Sequence, residues 1–536
     1  MDQLIHNGIY IPKLRNKQGL IIYVREKPYK LTALQEEMAI AWVRKLETPY
    51  AKDKVFVDNF FEDFIKTFNI DKKINFKDFN FSEVINYVQE EKRKKENLSR
   101  DEVKKLRDER KKNREKLRKK YGYAYVDGER IPIANYVAEP SSIFIGRGNH
   151  PLRGKWKEGP LKSEITLNLS PDTPKPEGDW KEIVWQPNVL WIAKWDDKLR
   201  GRKKYVWLSD TYLVKQKREI SKFDKARELE KSIKPLREHI EKNLKSESDK
   251  RRKIATVCYL IDKLCLRVGD EKEQDELNTV GATTLEPKHI KFGMKNKVYF
   301  DFLGKDAVRW QKTAILHPLV ISNLKEFIEA SYSTIFNGVR SDNVSQFLDE
   351  VTPGTSAKVF RTYHATKAVK DHLKENLTID KKANYVKKFV ATMANLQAAK
   401  VCNHKRTLPK RWQSSLEKKE ERLKKLQAKN SRSVNKLKLE IKNYRATKEK
   451  QLQSSLEKKE ERLKKLQAKN KIAIDKLKHQ IKAYKATKDY NLMTSLKSYI
   501  DPRVYYNWCS KVEFDWKKYY PKTLQNKFLW IEKSEN

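Results

Sequence analysis

The eighteen residues QSSLEKKEERLKKLQAKN occur twice without change, at 413–430 and at 453–470, and no other feature limits the fold of this chain so sharply. The likeness runs on, with NKLKLEIKNYRATK at 435–448 answered by DKLKHQIKAYKATK at 475–488. Leu416, Leu423, Asn430, Leu437 and Tyr444 fall seven apart, and so do Leu456, Leu463, Asn470, Leu477 and Tyr484. That spacing predicts two long helices, each with a narrow apolar seam that a second helix must cover. Ser414-Ser415-Leu416-Glu417 and Ser454-Ser455-Leu456-Glu457 read as capping boxes. A capped break near 450 favours an antiparallel hairpin, with a parallel dimeric coiled coil left open. Folding back there sets Asn430 opposite Asn470, so that two buried amides pair and pin the register. Two copies are too few for a solenoid.

The repeated segment holds six Lys and Arg against three Glu, which makes the hairpin a basic arm. The whole chain leans the same way: 118 Lys and Arg against 72 Asp and Glu give a net charge of +46 over 536 residues. Such an excess favours a polyanionic partner, with nucleic acid first and an anionic membrane surface second. No apolar run approaches the roughly eighteen residues that span a bilayer. The start, MDQLIHNGIYIPK, lacks the order of a signal peptide. Cys258, Cys265, Cys402 and Cys509 are too few and too scattered for a disulfide framework, which fits a reducing compartment.

Length alone suggests about three or four domains. The first ninety residues mix short β-rich runs with aromatic helical patterns such as FVDNFFEDFIKTF. Residues 90–120 are nearly all charge and read as two solvated basic helices, with Asn97-Leu98-Ser99 as the cap between them. From 121 to 215 the pattern is β-like and contains FIGRGNHP, where Gly-Arg-Gly lets the backbone approach a ligand while Arg147 reaches a groove or a phosphate. Helical periodicity dominates after about 219. Ile254, Val257, Cys258, Ile261, Leu264, Cys265 and Val268 form one buried stripe, with Arg267 in the last turn and Gly269 at the helix end. Val298, Phe300 and Phe302 share a strand face ahead of the turn LGKD, which sets Lys305 at a hairpin tip. Cys402 and His404 lack the further partners a closed zinc site needs. In SLKSYIDPR, Asp501 and Pro502 suit a helix start, so Tyr499 stands at a helix–helix joint with its phenol free to reach outward.

Several long motifs, in order, carry a resemblance that covers nearly the whole chain. They include YGYAYVDGERIPIANYVAEPSSIFIGRGNHP, IDKLCLRVGDEKEQDELNTVG, FDFLGKDAVR, AKVFRTYHAT, VCNHKRTLPK and SYIDPR. Together they resemble the eukaryotic-type, or type IB, DNA topoisomerases. The fold this implies is an α+β multidomain clamp. A mixed α/β DNA-binding cap occupies 1–218, and a mainly helical, tyrosine-recombinase-like catalytic domain with a small β-hairpin sheet occupies 219–411. An antiparallel coiled-coil linker follows at 412–490, and a small helical C-terminal domain at 491–536.

The resemblance makes Tyr499 the nucleophile, Arg267, Arg361 and His404 the stabilisers of the transition state, and Lys305 the general acid. It implies DNA contacts from Arg147, Asn149, His150, Lys305 and Asp306. The implied activity relaxes supercoils of both signs through a 3′-phosphotyrosyl intermediate, strand rotation and religation, with neither ATP nor metal. The implied partner is duplex DNA with little sequence preference, bound by a monomer in the nucleus, or in a viral factory or virion for a viral member. Three departures stand out. Ser498 replaces the usual asparagine before the nucleophile, which bears on camptothecin-like drugs. Ile145 replaces an arginine and so removes one expected DNA contact. The sequence starts after the long charged N-terminal region typical of nuclear members, as expected of either a viral member or a trimmed chain. A tyrosine recombinase and a non-catalytic architectural protein are the rival readings.

Overall fold

The computed structural model describes residues 1–68, 74–270, 279–446 and 453–533. The fold is mixed α and β, with helices carrying most of the ordered chain and the strands gathered in small separate sheets. No helix among the described residues is long and apolar enough to cross a membrane. The chain divides into two compact units, one built on Met1–Gln216 and one on the chain from Lys217 onward.

In the first unit, the phenylalanines of the helix Lys54–Ile65 recur one turn apart. Phe56, Phe60, Phe61 and Phe64 are accordingly buried in one aromatic core with Trp42. Asp53 caps this helix through the Phe56 amide and also holds Arg153 in a forked ion pair, Nε to Oδ2 at 2.6 Å and Nη2 to Oδ1 at 3.0 Å. Asn59 on the same helix donates to the carbonyls of Pro151 and Arg153. The FIGRGNHP loop is therefore fastened to a helix rather than left to wander. Gly146 has φ +68°, and a Cβ there would lie 2.6 Å from the His150 Cβ, so the bend requires glycine. The basic stretch forms the helices Ser82–Glu96 and Arg100–Tyr121, joined where Asn97 ends the first and Ser99 caps the second in a capping box with Glu102. The second of these buries no residue, as its composition predicts.

In the second unit the helices Asp249–Leu264, Pro318–Glu329 and Ala357–Lys374 pack around the sheet of strands Ile290–Phe292, Lys297–Gly304 and Val308–Ile315. Val298, Phe300 and Phe302 turn one face into the core at 0, 2 and 5 % exposure. Gly304 pairs with Val308, and residues 305–307 form a single 3-10 turn that carries Lys305 at the tip.

The structure corrects one helix end. The helix from Asp249 stops at Leu264 because Cys265 turns left-handed at φ +56°. Arg267 is therefore not in a last helical turn, and Gly269 is not its terminal glycine. Instead the segment runs beside 281–283, with the Ala282 and Thr283 amides donating to the Arg267 and Val268 carbonyls. A Cβ on Gly281 would lie 2.4 Å from the Gly269 Cα, so this close approach is what the glycines serve.

The repeats form the helices Trp412–Ala446 and Gln453–Ala486. They run antiparallel, since Glu440 pairs with Lys459, Arg445 with Glu460 and Glu420 with Lys485. The fold-back at 447–452 and the side chains of Tyr444 and Ser454 lie outside the described residues. Leu416, Leu437 and Leu477 are buried along the seam, joined by Ile441 and Ile481. Two expectations fail here. The first helix starts two residues ahead of Ser414, because Trp412 stacks on Tyr484 of the returning helix at 5.5 Å and 6°; Ser414 and Ser415 thus lie inside the helix and cap nothing. The amides of Asn430 and Asn470 also do not pair: each Nδ2 is buried with no hydrogen-bond partner.

Candidate active site

Arg361 is the centre of the site. It lies on the helix Ala357–Lys374, is 4 % exposed, and its guanidinium reaches three elements at once. One Nη donates to the Cys265 carbonyl, and the other donates to the Cys402 carbonyl at 2.9 Å and to His404 Nε2 at 3.3 Å. The first contact holds the turn that presents Arg267. The others hold the loop after the helix Asn384–Val401, where Asn403 is left-handed at φ +51° and the His404 amide closes back on Ala399.

Tyr499 arrives from the C-terminal residues. The helix Leu492–Ser498 is capped by Asn491, whose own amide donates to the His404 carbonyl at 2.7 Å. Tyr499 ends that helix, and Asp501 caps the next, Pro502–Lys511, with Pro502 in the first turn. The joint is the one foreseen, but the phenol does not point outward. At 5 % exposure it is turned in, with its ring 5.0 Å from the His404 ring and beneath the Arg361 guanidinium. Thr366, on the same helix as Arg361, clamps the joint: its Oγ1 donates to the Tyr499 carbonyl at 3.2 Å and accepts from the Asp501 amide at 3.0 Å. Asp501 is pinned in turn by Arg227 and Arg503.

Electrostatics follow from this crowding. Burial would raise the Tyr499 phenol, but Arg361 and Arg267 outweigh it and hold its pKa below the ordinary 10.0. Burial, reinforced by the two arginines, lowers the His404 pKa from 6.5 to about 3, so the ring is neutral. Burial also lowers the pKa of Arg267, with Arg361 adding to the effect. A cleft of about 120 Å³ opens among Arg267, Lys305, Arg361, His404 and Lys405, and among the described residues no carboxylate lines it. Small-molecule pockets usually run to roughly 300–1,000 Å³. This cleft suits something as narrow as one phosphoryl group, and its walls are cationic.

Four of the five foreseen residues thus meet directly, and Lys305 lines the same cleft from the hairpin tip. In the first unit, Arg147 and Asn149 are exposed on the FIGRGNHP loop. His150 is buried against Phe144, and its Nδ1 accepts from the Leu152 amide. Ile145 packs against the aromatic core. Ser498 is the last residue of its helix, and the side chain of Asp306 lies outside the described residues. Cys402 and His404 are engaged otherwise than as a metal pair, the thiol with the Arg361 carbonyl and the ring with Ser495.

Three family models match in sequence order. Residues 1–208 match Eukaryotic DNA topoisomerase I, DNA binding fragment; 211–437 match its catalytic core; 471–536 match the C-terminal topoisomerase domain. A chimpanzee (Pan troglodytes) protein named DNA topoisomerase I, mitochondrial, is 32 % identical over 98 % of this chain and 89 % of its own length. The chain belongs to the eukaryotic DNA topoisomerase I family.

Two other family relatives are DNA topoisomerase 1 of Drosophila melanogaster, 33 % identical, and DNA topoisomerase 1 alpha of Arabidopsis thaliana, 34 % identical, each over 98 % of this chain. The chain spans 53 % and 58 % of their lengths, little more than half. Two residues of this topoisomerase-family site escaped the sequence reading: Thr366, and Ser495, whose Oγ lies 2.6 Å from His404 Nδ1. The only signal for Ser495 is its place one helical turn before Tyr499.

Proposed function

We propose that this chain relaxes supercoiled DNA by cutting and resealing one strand through Tyr499. The observation that carries the reading is the packing of one buried phenol between Arg267, Arg361 and His404, beside a cleft with cationic walls. The Tyr499 phenol, its pKa held down by the neighbouring arginines, gives up its proton to water. Its oxygen attacks a backbone phosphorus and the bond from phosphorus to the 5′-oxygen breaks, leaving a 3′-phosphotyrosyl link and a free 5′-hydroxyl. Arg267, Arg361 and His404 donate to the nonbridging oxygens, where charge builds up in the transition state. Lys305 supplies the proton that the departing 5′-oxygen needs. Religation is the reverse, with the hydroxyl attacking and the phenol leaving. The bond energy stays in the phosphotyrosine, so neither ATP nor metal is consumed.

The remaining assignments rest on the same family likeness. Residues 1–218 serve as the DNA-binding cap of a clamp, with Arg147, Asn149 and His150 beside the duplex and Lys305 and Asp306 contacting it from the hairpin. Residues 219–411 are the catalytic domain, and 412–490 form a basic linker that slows strand rotation. Residues 491–536 carry the nucleophile. The partner is duplex DNA with little sequence preference, the working form is a monomer, and the site of action is the nucleus or a viral factory.

Incubation of dilute protein with supercoiled plasmid in chelator and without nucleotide tests the reading. Complete relaxation by the wild-type chain and none by Tyr499→Phe is the expected result. Relaxation by Tyr499→Phe, or a need for paired specific sites as in recombination, would overturn it.

A further inference from the structure

Ser495 is fully buried, and its hydroxyl is 2.6 Å from Nδ1 of His404, itself 7 % exposed. On the other side of the ring, Nε2 faces the Arg361 guanidinium at 3.3 Å. A guanidinium has no lone pair to offer, so Nε2 accepts from it. In a neutral ring the proton then sits on Nδ1 and is donated to the Ser495 oxygen. This form cannot serve the proposed reaction, because a nonbridging phosphate oxygen is only an acceptor and Nε2 carries no hydrogen. A second proton is disfavoured with Arg361 and Arg267 so close.

We propose that Ser495 is the positioning residue that lets His404 exchange tautomers when a phosphate enters the cleft. This deepens the function proposed above and rests on it. A hydroxyl both accepts and donates, whereas a carbonyl or carboxylate in its place would hold the proton on Nδ1. When a scissile phosphate draws Arg361 away from Nε2, the ring takes a proton from water at Nε2 and returns the Nδ1 proton to water. Its charge stays at zero. The Ser495 hydroxyl rotates and now donates to the bare Nδ1, and Nε2–H points at the phosphate oxygen.

The same residue reaches the nucleophile through its backbone. The Tyr499 amide donates to the Ser495 carbonyl at 2.9 Å and the Ile500 amide at 3.1 Å, so one residue steadies both the histidine and the turn that carries the phenol. Seating of the nucleophile turn and availability of the His404 donor are thereby linked.

Nitrogen-15 spectra of full-length protein labelled at histidine test this, with His404→Gln assigning the signal. In free protein the unprotonated nitrogen is Nε2. In Tyr499→Phe bound to an uncut duplex it becomes Nδ1, and the ring stays neutral. In Ser495→Ala the free ring keeps Nε2 unprotonated, because Arg361 still donates there. The change to unprotonated Nδ1 on the duplex is lost, and adduct formation by this variant slows about tenfold, the scale of one lost buried hydrogen bond. The same tautomer in free and bound protein, or a doubly protonated ring in the complex, would overturn the proposal. If wild-type protein forms no adduct at Tyr499, the function itself fails; if it does and the tautomer is unchanged, only this inference falls.

Discussion

Arg361 makes contacts that a shorter or unforked cation could not make together. Arg361→Lys keeps the charge but cannot reach the Cys265 and Cys402 carbonyls and His404 from one planar group. Such a variant should cleave about 10²–10³-fold more slowly, as when one preorganised donor is lost, while binding DNA normally. Single-turnover cleavage beside a binding titration checks this; an unchanged cleavage rate would count against the role. His404 makes a second prediction at this scale. Its ring takes up a proton only near pH 3 in the folded chain, whereas the unfolded ring does so below 6.5. Between those values the unfolded state binds more protons, so stability falls as the pH drops, by up to about 1.4 kcal/mol per pH unit. Melting curves for His404→Gln should show a shallower acid loss, though His6, held near pKa 4 by burial, leaves part of it. The five residues in the site were legible because each sits in a long motif. Ser495 and Thr366 were not, since a buried hydroxyl carries no pattern and its partners lie up to 135 residues away.

Among the elements, the repeated helices were the most legible, because a seven-residue apolar spacing of this length requires a second helix along the seam. What escaped were decisions made by tertiary contact. The stacking of Trp412 on Tyr484 starts one helix early. The left-handed Cys265 ends another early, and no glycine marks the place. The unpaired amides of Asn430 and Asn470 are the third case, and they weaken the hairpin rather than clasp it. Replacing both with Leu should stabilise the pair of helices by about 1–3 kcal/mol through removal of buried, unsatisfied donors. Hydrogen exchange along 412–446 and 453–486 measures it, and faster exchange in the double variant would show that the amides have partners in solution.

At the scale of the molecule, a net charge of +46 and a long helix that buries nothing put electrostatics in command of binding. Affinity for duplex DNA should fall linearly on logarithmic axes as salt rises, with little change between sequences. A flat salt response would remove the phosphate-driven account. The most direct test of the central claim is to stop a reaction with duplex DNA in denaturant and locate the joined residue by peptide mass spectrometry. A single link is expected, from Tyr499 to the phosphate at a 3′ end. DNA attached to another residue, or relaxation without any attached DNA, would contradict it.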